Sequence, residues 1–133
     1  MSQANVELIL ATVGAYNDGD IDAWAEFLDP EIEAVPDTSF PESHPLLGRD
    51  EYRAWTEQLT MGLLNPRWET TEVLDLGADR VLHRGNWGDK GAASGIETDS
   101  SITGLVTVRE GQISRVEFYF DHDRALKAAD LEE

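Results

Sequence analysis

The side chains that could carry proton chemistry are few in this sequence. It contains three histidines, His44, His83 and His122, and no cysteine. His83 shares a strand-like alternation with Trp87, so we expect it to point inward. A histidine held inside a pocket can donate or accept a proton near neutral pH. His83 is therefore the first candidate for an acid–base role, and Asp37 is the second.

Each candidate also has a purely structural interpretation. An inward histidine such as His83 can equally be a hydrogen-bonded core residue. Asp121 stands where the last strand gives way to a helix, so it can be either an N-cap or a pocket acid with a raised pKa. His44 lies in a proline-rich segment and could roof a pocket or be exposed. The histidines lack the close spacing of a metal site, so we predict no metal and no cofactor.

The aromatic residues predict a cavity for a small, largely apolar molecule. Aromatic walls offer a large contact area with little loss of entropy, although the same residues could simply fill the core. Small residues on inward faces, Gly85 and Gly104, would leave room beside them. The predicted ligand-binding residues are Tyr16, Trp24, His44, Trp55, Leu59, Trp68, Trp87, Gly104, Phe118 and Phe120.

The net charge of −17 excludes several classes of partner. The chain has 27 acidic against 10 basic residues, whereas nucleic acids are bound mainly through lysine and arginine. We therefore expect neither nucleic acid nor an anionic membrane surface as a partner. The sequence shows no secretion signal and no run of about 20 apolar residues, so we expect one cytoplasmic domain over residues 1–133.

The elements that must position these residues follow from the change in hydrophobic periodicity. Two short helix patterns meet at Asn17-Asp18-Gly19-Asp20, and the second carries Leu28. A third helix opens at Gly48-Arg49 and runs to Asn65-Pro66. The strand-like runs are 32–35, 68–76, 81–88, 96–109 and 113–120, with a loop over 37–47 and a short final helix after Asp121. Helices followed by a meander of long strands predict an α+β fold, with a curved sheet closed over by helices.

Several segments in this order carry a family resemblance. They are Ala15–Trp24 and Leu28–Ile32, then Gly48-Arg49, Val108–Gly111 and Glu117–Asp121. In order and spacing they resemble the SnoaL-like branch of the nuclear transport factor 2-like superfamily. The resemblance implies a cone-shaped fold, in which a strongly curved antiparallel sheet wraps around three N-terminal helices and encloses a pocket. It also implies a homodimer through the convex face of the sheet.

That superfamily hosts several chemistries, and this sequence can be compared with each. The tyrosine, general base and protonated aspartate of ketosteroid isomerase fall near Thr12, Pro36 and Gly104, which predicts against that activity. Asp37 could serve as a base after a one-residue slip. The resemblance to polyketide cyclases implies acid–base roles for Asp121, Asp37 or His83. The acids of limonene epoxide hydrolase would have to come from Asp99, Glu117 or Asp121, with Arg84 as partner.

Two function classes therefore stay open. One is an enzyme of the isomerase, cyclase or dehydratase type that works without a cofactor. The other is a non-catalytic domain that binds a small molecule or serves an accessory role. The predicted dimer face consists of polar residues that alternate with the inward ones: Ser101, Thr103, Thr107, Arg115, Glu117 and Tyr119.

Overall fold

Helices come first along this chain and long strands last. A computed structural model describes residues 2–37, 44–61, 63, 66–89 and 100–129. The helices are α1 Ser2–Asn17, α2 Ile21–Glu26, α3 Arg49–Thr60 and α4 His122–Ala128. The strands are β1 Leu28–Val35, β2 Leu46–Leu47, β3 Pro66–Gly77, β4 Arg80–Asp89, β5 Ser100–Arg109 and β6 Gln112–Tyr119.

All described strands join one curled sheet in the order β2-β1-β6-β5-β4-β3. The pairing of β1 with β6 is parallel, and the other pairings are antiparallel. The antiparallel meander from β3 to β6 places each strand beside the next, so their inward residues face one common space. The predicted α+β class, with helices against a curved sheet, is confirmed.

The boundary between α2 and β1 differs from the prediction. We expected the second helix to carry Leu28, but α2 ends at Glu26 and Leu28 begins β1. The main-chain N–H of Ile113 donates to the carbonyl of Phe27 over 2.9 Å, and Leu28 pairs with Ile113. Pairing with β6 therefore overrides the local helix pattern.

The third helix is also shorter than predicted. It ends at Thr60, and Met61 adopts an extended conformation with φ −60° and ψ 128°. Met61, which the helix pattern could have placed on the apolar face, is exposed instead. Strand β3 then begins at Pro66, a position that suits proline because the first residue of an edge strand need not donate to the sheet.

Two apolar clusters cover opposite faces of the sheet. The larger lies on the side of α1, α2 and α3 and includes Ile32, Val81 and Val106. The smaller joins Leu82 and Leu105 to residues 125 and 129, both alanines, at the C-terminal helix. Consecutive residues within β4, and likewise within β5, thus belong to different clusters, as expected from the alternation of side chains along a strand.

Helix α4 changes the interpretation of the convex face. Thr103, predicted to lie in a dimer interface, is only 2 % exposed, and its Oγ1 lies 2.9 Å from Nδ1 of His122. Because the short C-terminal helix covers it, Thr103 is not available to a second copy. Ser101 remains exposed.

Some predicted features fall outside the described residues. These are positions 38–43 of the predicted loop and positions 96–99 of the predicted third strand, which include Asp99. Within the loop, Leu46 and Leu47 form a two-residue strand paired with Ala34 and Glu33. In the part of the chain that is described, no helix has the length and apolar character needed to span a membrane.

Candidate functional site

A cavity of about 150 Å³ lies between the three N-terminal helices and the sheet. None of the described residues that line it is an aspartate, glutamate, lysine or arginine. Most of its wall is aromatic or aliphatic. The aromatic lining residues are Tyr16, Trp24, Tyr52, Trp55, Trp68, Trp87 and Phe118.

Asn17, the last residue of α1, fixes the position of Trp68 on the edge strand β3. Its Nδ2 donates to the carbonyl of Trp68 over 2.9 Å, and its Oδ1 accepts from the Trp68 N–H over 2.8 Å. The side-chain amide thus pairs with the edge strand as a neighbouring strand would. The helix end and the strand are thereby joined beside the cavity.

Gly85 allows the Trp68 indole to approach the main chain of β4 closely. A Cβ at Gly85 would lie 2.5 Å from the carbonyl oxygen of Glu69 and 3.0 Å from two atoms of the Trp68 ring. Such distances are too short for ordinary packing. We expected Gly85 to leave room for a ligand, but the structure fills that room with Trp68.

His83 is held by Trp68 and Thr70. The indole N–H of Trp68 donates to Nε2 of His83 over 2.9 Å, and the Thr70 hydroxyl lies 2.8 Å from the same nitrogen. Since an indole nitrogen can only donate, Nε2 carries no proton and the neutral ring is protonated at Nδ1. Burial lowers the pKa of His83 to about 4, so the imidazole is uncharged at neutral pH.

A second indole forms a hydrogen bond within the cavity wall. Nε1 of Trp87 donates to the hydroxyl of Tyr16 over 2.7 Å. Burial raises the pKa of Tyr16, and the bond from Trp87 lowers it in part. The phenol of Tyr16 is therefore protonated at neutral pH and holds the ring of Trp87 in place.

Helix α3 supplies the opposite wall. Its residue Tyr52 packs edge-on against Trp24, with ring centroids 5.2 Å apart. Trp55 stacks on Phe118 at 6.4 Å with an interplanar angle of 26°. Burial raises the pKa of Tyr52, and the nearby phenol of Tyr16 raises it further, so both phenols remain protonated.

The structure brings together eight of the predicted site residues and places the others elsewhere. Those that line the cavity are Tyr16, Trp24, Trp55, Leu59, Trp68, His83, Trp87 and Phe118. Those that are not among its lining residues are Asp37, His44, Gly104, Phe120 and Asp121.

Asp37 and Phe120 meet at the end of β6. Asp37 is 5 % exposed, and its Oδ2 accepts from the main-chain N–H of Phe120 over 2.9 Å. Phe120 follows the last residue of β6 and is partly exposed to solvent. The Asp37 carboxylate therefore helps to tie the ends of β1 and β6 together.

The remaining predicted residues have structural partners. Asp121 is the N-cap of α4, and its carboxylate accepts from the N–H groups of Asp123 and Arg124 at 2.9 and 3.4 Å. His44 is exposed, and its Nδ1 donates to the carbonyl of Pro45 over 3.0 Å. The space beside Gly104 is bounded by Val116 and Phe118.

Neither of the described acids that epoxide hydrolysis could use, Glu117 or Asp121, is among the residues that line the cavity. Glu117 pairs with Arg115 at 2.6 Å on the face opposite Val116 and Phe118, which do line the cavity. Asp121 is the helix cap, and Asp99 lies outside the described residues. Among the described residues, no group of three or more histidines and acids could hold a metal ion.

Sequence reasoning missed Tyr52 and Thr56 as site residues. Both are buried and both line the cavity from α3. The signal was present, because Tyr52 shares a helical face with Trp55 and Leu59, which were predicted to bind ligand. The helical spacing places Tyr52 on the apolar face of α3 but gives no information about the position of its hydroxyl.

One family model matches this chain, and similar solved structures share its fold. The family described as SnoaL-like domain matches residues 9–116 of the sequence. A search among curated proteins finds no significant match. Many solved structures match with significance.

Three of these structures illustrate the similarity. TerC, co-crystallised with polyporic acid, is 21% identical, with a TM-score of 0.74 over 96% of this chain and 98% of that one. A protein from Jannaschia sp. CCS1, assigned to the SnoaL-like polyketide cyclases, is 19% identical, with a TM-score of 0.73 over 99% of this chain and 95% of that one. A protein of ketosteroid isomerase-like fold from Catenulispora acidiphila, in complex with trimethylamine, is 17% identical, with a TM-score of 0.70 over 95% of this chain and 94% of that one. At these identities the similarity shows the fold alone.

Proposed function

Since this chain belongs to the SnoaL-like domain family, we propose that it binds a small, largely apolar molecule in the cavity between its helices and its sheet. The observation that carries the proposal is a cavity of about 150 Å³ with an aromatic wall and no charged residue among its described lining. Burial of apolar ligand surface would supply the main driving force.

The size of the cavity sets the size of the ligand. An engineered apolar cavity of about 150 Å³ in another protein stays dry and binds benzene. The cavity described here has the same volume, so a ligand built on one aromatic ring or a comparable aliphatic group is the expected occupant.

Two of the similar structures support a binding role. One was co-crystallised with polyporic acid and another is in complex with trimethylamine. Those ligands are properties of those proteins, but they are consistent with the cone of this fold serving as a container for small molecules.

A titration with ethylbenzene tests the proposal. All four tryptophans, at positions 24, 55, 68 and 87, line the cavity, so their indole N–H signals in nuclear magnetic resonance spectra report on it directly. We expect saturable shifts of these signals. Unchanged indole signals at saturating ethylbenzene, together with native mass spectra that show no co-purified ligand, would contradict the proposal.

Acid–base catalysis is the second candidate function. The observation in its favour is that His83 forms part of the cavity wall. Against a role as general base, its Nε2 already accepts from Trp68 and burial lowers its pKa to about 4. Asp37 and Asp121 would have to act from outside the described lining. We therefore favour binding over catalysis.

The catalytic candidate is tested once a ligand has been identified by native mass spectrometry. Turnover of that ligand would be compared in the wild type, His83→Gln and Asp37→Asn. A rate loss of at least about 100-fold in one variant is expected of a general acid or base. Equal rates in all three proteins would remove these two residues from consideration.

We also propose a homodimer through the part of the convex face that α4 leaves open. Ser101 and Thr107 belong to this part, together with the ion pair of Arg115 and Glu117. Light scattering after size exclusion tests this at micromolar concentration. A monomer mass would exclude the dimer without affecting the proposed binding function.

A further inference from the structure

The cavity wall contains two tyrosine hydroxyls whose protons have no acceptor among the described residues. Tyr52 is only 7 % exposed, and its hydroxyl makes no hydrogen bond to any described residue. A buried tyrosine hydroxyl usually has a partner. The hydroxyl of Tyr16 accepts from Trp87, but its own proton has no acceptor among the described residues.

The imidazole acceptor in the described wall is already occupied, and two threonine hydroxyls there have used their protons. Nε2 of His83 accepts the indole N–H of Trp68. The hydroxyls of Thr12 and Thr60 donate to main-chain carbonyls of their own helices. The described cavity wall therefore offers unused donors, whereas its one aromatic nitrogen lone pair is occupied.

Two phenols that still have a proton to donate line the same cavity. Tyr16 belongs to α1 and Tyr52 to α3, and the electrostatic effect of Tyr16 raises the pKa of Tyr52. Both donors are uncharged because burial keeps the phenols protonated. A single oxygen atom can accept from two donors, since it carries two lone pairs.

We infer that the ligand of this cavity is a neutral molecule with one carbonyl-type oxygen, which accepts hydrogen bonds from the hydroxyls of Tyr16 and Tyr52. The inference rests on the proposed binding function and specifies its ligand class. An ammonium ion would find aromatic faces but no carboxylate among the described lining residues. A carboxylate would be buried without a cation, which is strongly unfavourable.

Four single-ring probes separate these possibilities in the wild-type protein. They are ethylbenzene, acetophenone, phenyltrimethylammonium and benzoate, each titrated while the indole N–H signals are followed. Acetophenone differs from ethylbenzene by one carbonyl oxygen, and we expect it to bind about ten-fold more tightly. Equal affinity for these two probes, or tighter binding of either charged probe, would overturn the inference.

Removal of one hydroxyl provides an independent measurement. In Tyr52→Phe the ratio of the ethylbenzene Kd to the acetophenone Kd should fall from about ten to about two or less. Tyr119→Phe is the matched control, because that hydroxyl donates to Glu117 over 3.2 Å and lies outside the cavity lining. An unchanged acetophenone advantage in Tyr52→Phe would exclude a role for this phenol.

The outcomes also distinguish this inference from the function on which it rests. Binding of ethylbenzene and acetophenone with equal affinity would leave the proposed function intact and refute the carbonyl preference. Failure of all four probes to bind the wild type would refute both.

Discussion

Trp68 donates a hydrogen bond of 2.9 Å to Nε2 of His83, and this contact fixes the tautomer of the only imidazole in the described cavity wall, whose pKa is lowered by burial. The bond requires a neutral ring, because Nε2 must keep its lone pair. Protonation of His83 would break the bond and place a charge among aromatic groups. Protonation of His83 is therefore expected to lower the stability of the folded protein.

Stability should fall as the pH drops below about 6.5, the ordinary pKa of histidine. Burial lowers the pKa of His83 to about 4 in the folded protein, so the unfolded chain binds the proton first and is favoured. Between pH 7 and pH 5 we expect this group to contribute a loss of about 2 kcal/mol in the free energy of unfolding. Urea denaturation at the two pH values measures the loss.

His83→Gln is the control for that measurement, because glutamine does not titrate and its oxygen can still accept from Trp68. Its stability should depend less on pH than that of the wild type. Identical pH dependence in both proteins, or a His83 ring that titrates near pH 6.5, would contradict the assignment.

Asn17→Ala should destabilise the protein because the edge strand loses two hydrogen bonds to its main chain. The Asn17 amide pairs with the N–H and the carbonyl of Trp68, so we expect a loss of about 1–3 kcal/mol in the free energy of unfolding. Asn5→Ala is the matched control, since its amide only reaches exposed Asp79 over 3.3 Å. Equal effects of the two substitutions in denaturant titrations would argue against the role of Asn17.

Substitution by alanine should lower the stability of the protein at Gly85 but not at Gly104, although the two glycines lie in neighbouring strands. In Gly85→Ala the new methyl group would collide with the Glu69 carbonyl at 2.5 Å and with the Trp68 ring, which we expect to cost about 1–3 kcal/mol. In Gly104→Ala the nearest atom would be 3.7 Å away, an ordinary contact. Thermal denaturation of both variants compares them, and a more harmful Gly104→Ala would contradict the packing described here.

A phenylalanine should be tolerated on one face of β5 and not on the other. Val106 lines the cavity, so Val106→Phe can fill empty space, block ethylbenzene binding and change stability by less than about 1 kcal/mol. Leu105 lies in the tightly packed cluster under α4, so Leu105→Phe should cost about 1–3 kcal/mol. Binding titrations and urea denaturation decide the comparison. Tight ethylbenzene binding by Val106→Phe would mean that the cavity is not the binding site.

Much of the fold, and the eight predicted residues that line the cavity, follow from local sequence patterns. Alternation along β4 places His83 and Trp87 on the same face, and helical spacing in α3 aligns Trp55 with Leu59. These periods are properties of the strand and the helix themselves, so the sequence is enough to predict them. The α+β class follows from the order of the elements, whereas the family and its cone-shaped fold follow from the resemblance carried by segments such as Ala15–Trp24 and Glu117–Asp121.

The remaining features depend on contacts between distant residues. Asn17 and Trp68 are 51 positions apart, and nothing in the local pattern of either indicates the pairing. The polar alternation of β5 suggested a free convex face, although Leu105 interrupts it and the final helix is rich in alanine. Packing of Ala125 against Leu82 and Leu105 buries part of that face, and this contact is visible only in the folded structure.

The chain carries 27 acidic residues, and none lies among the described residues of the cavity wall. Repulsion between exposed acidic groups is screened by ions in solution over about 8 Å at physiological ionic strength. Salinity can therefore alter how these molecules repel one another in solution, whereas the described cavity wall carries no charge on which it could act. The affinity of the cavity for an uncharged ligand should consequently depend little on salt concentration.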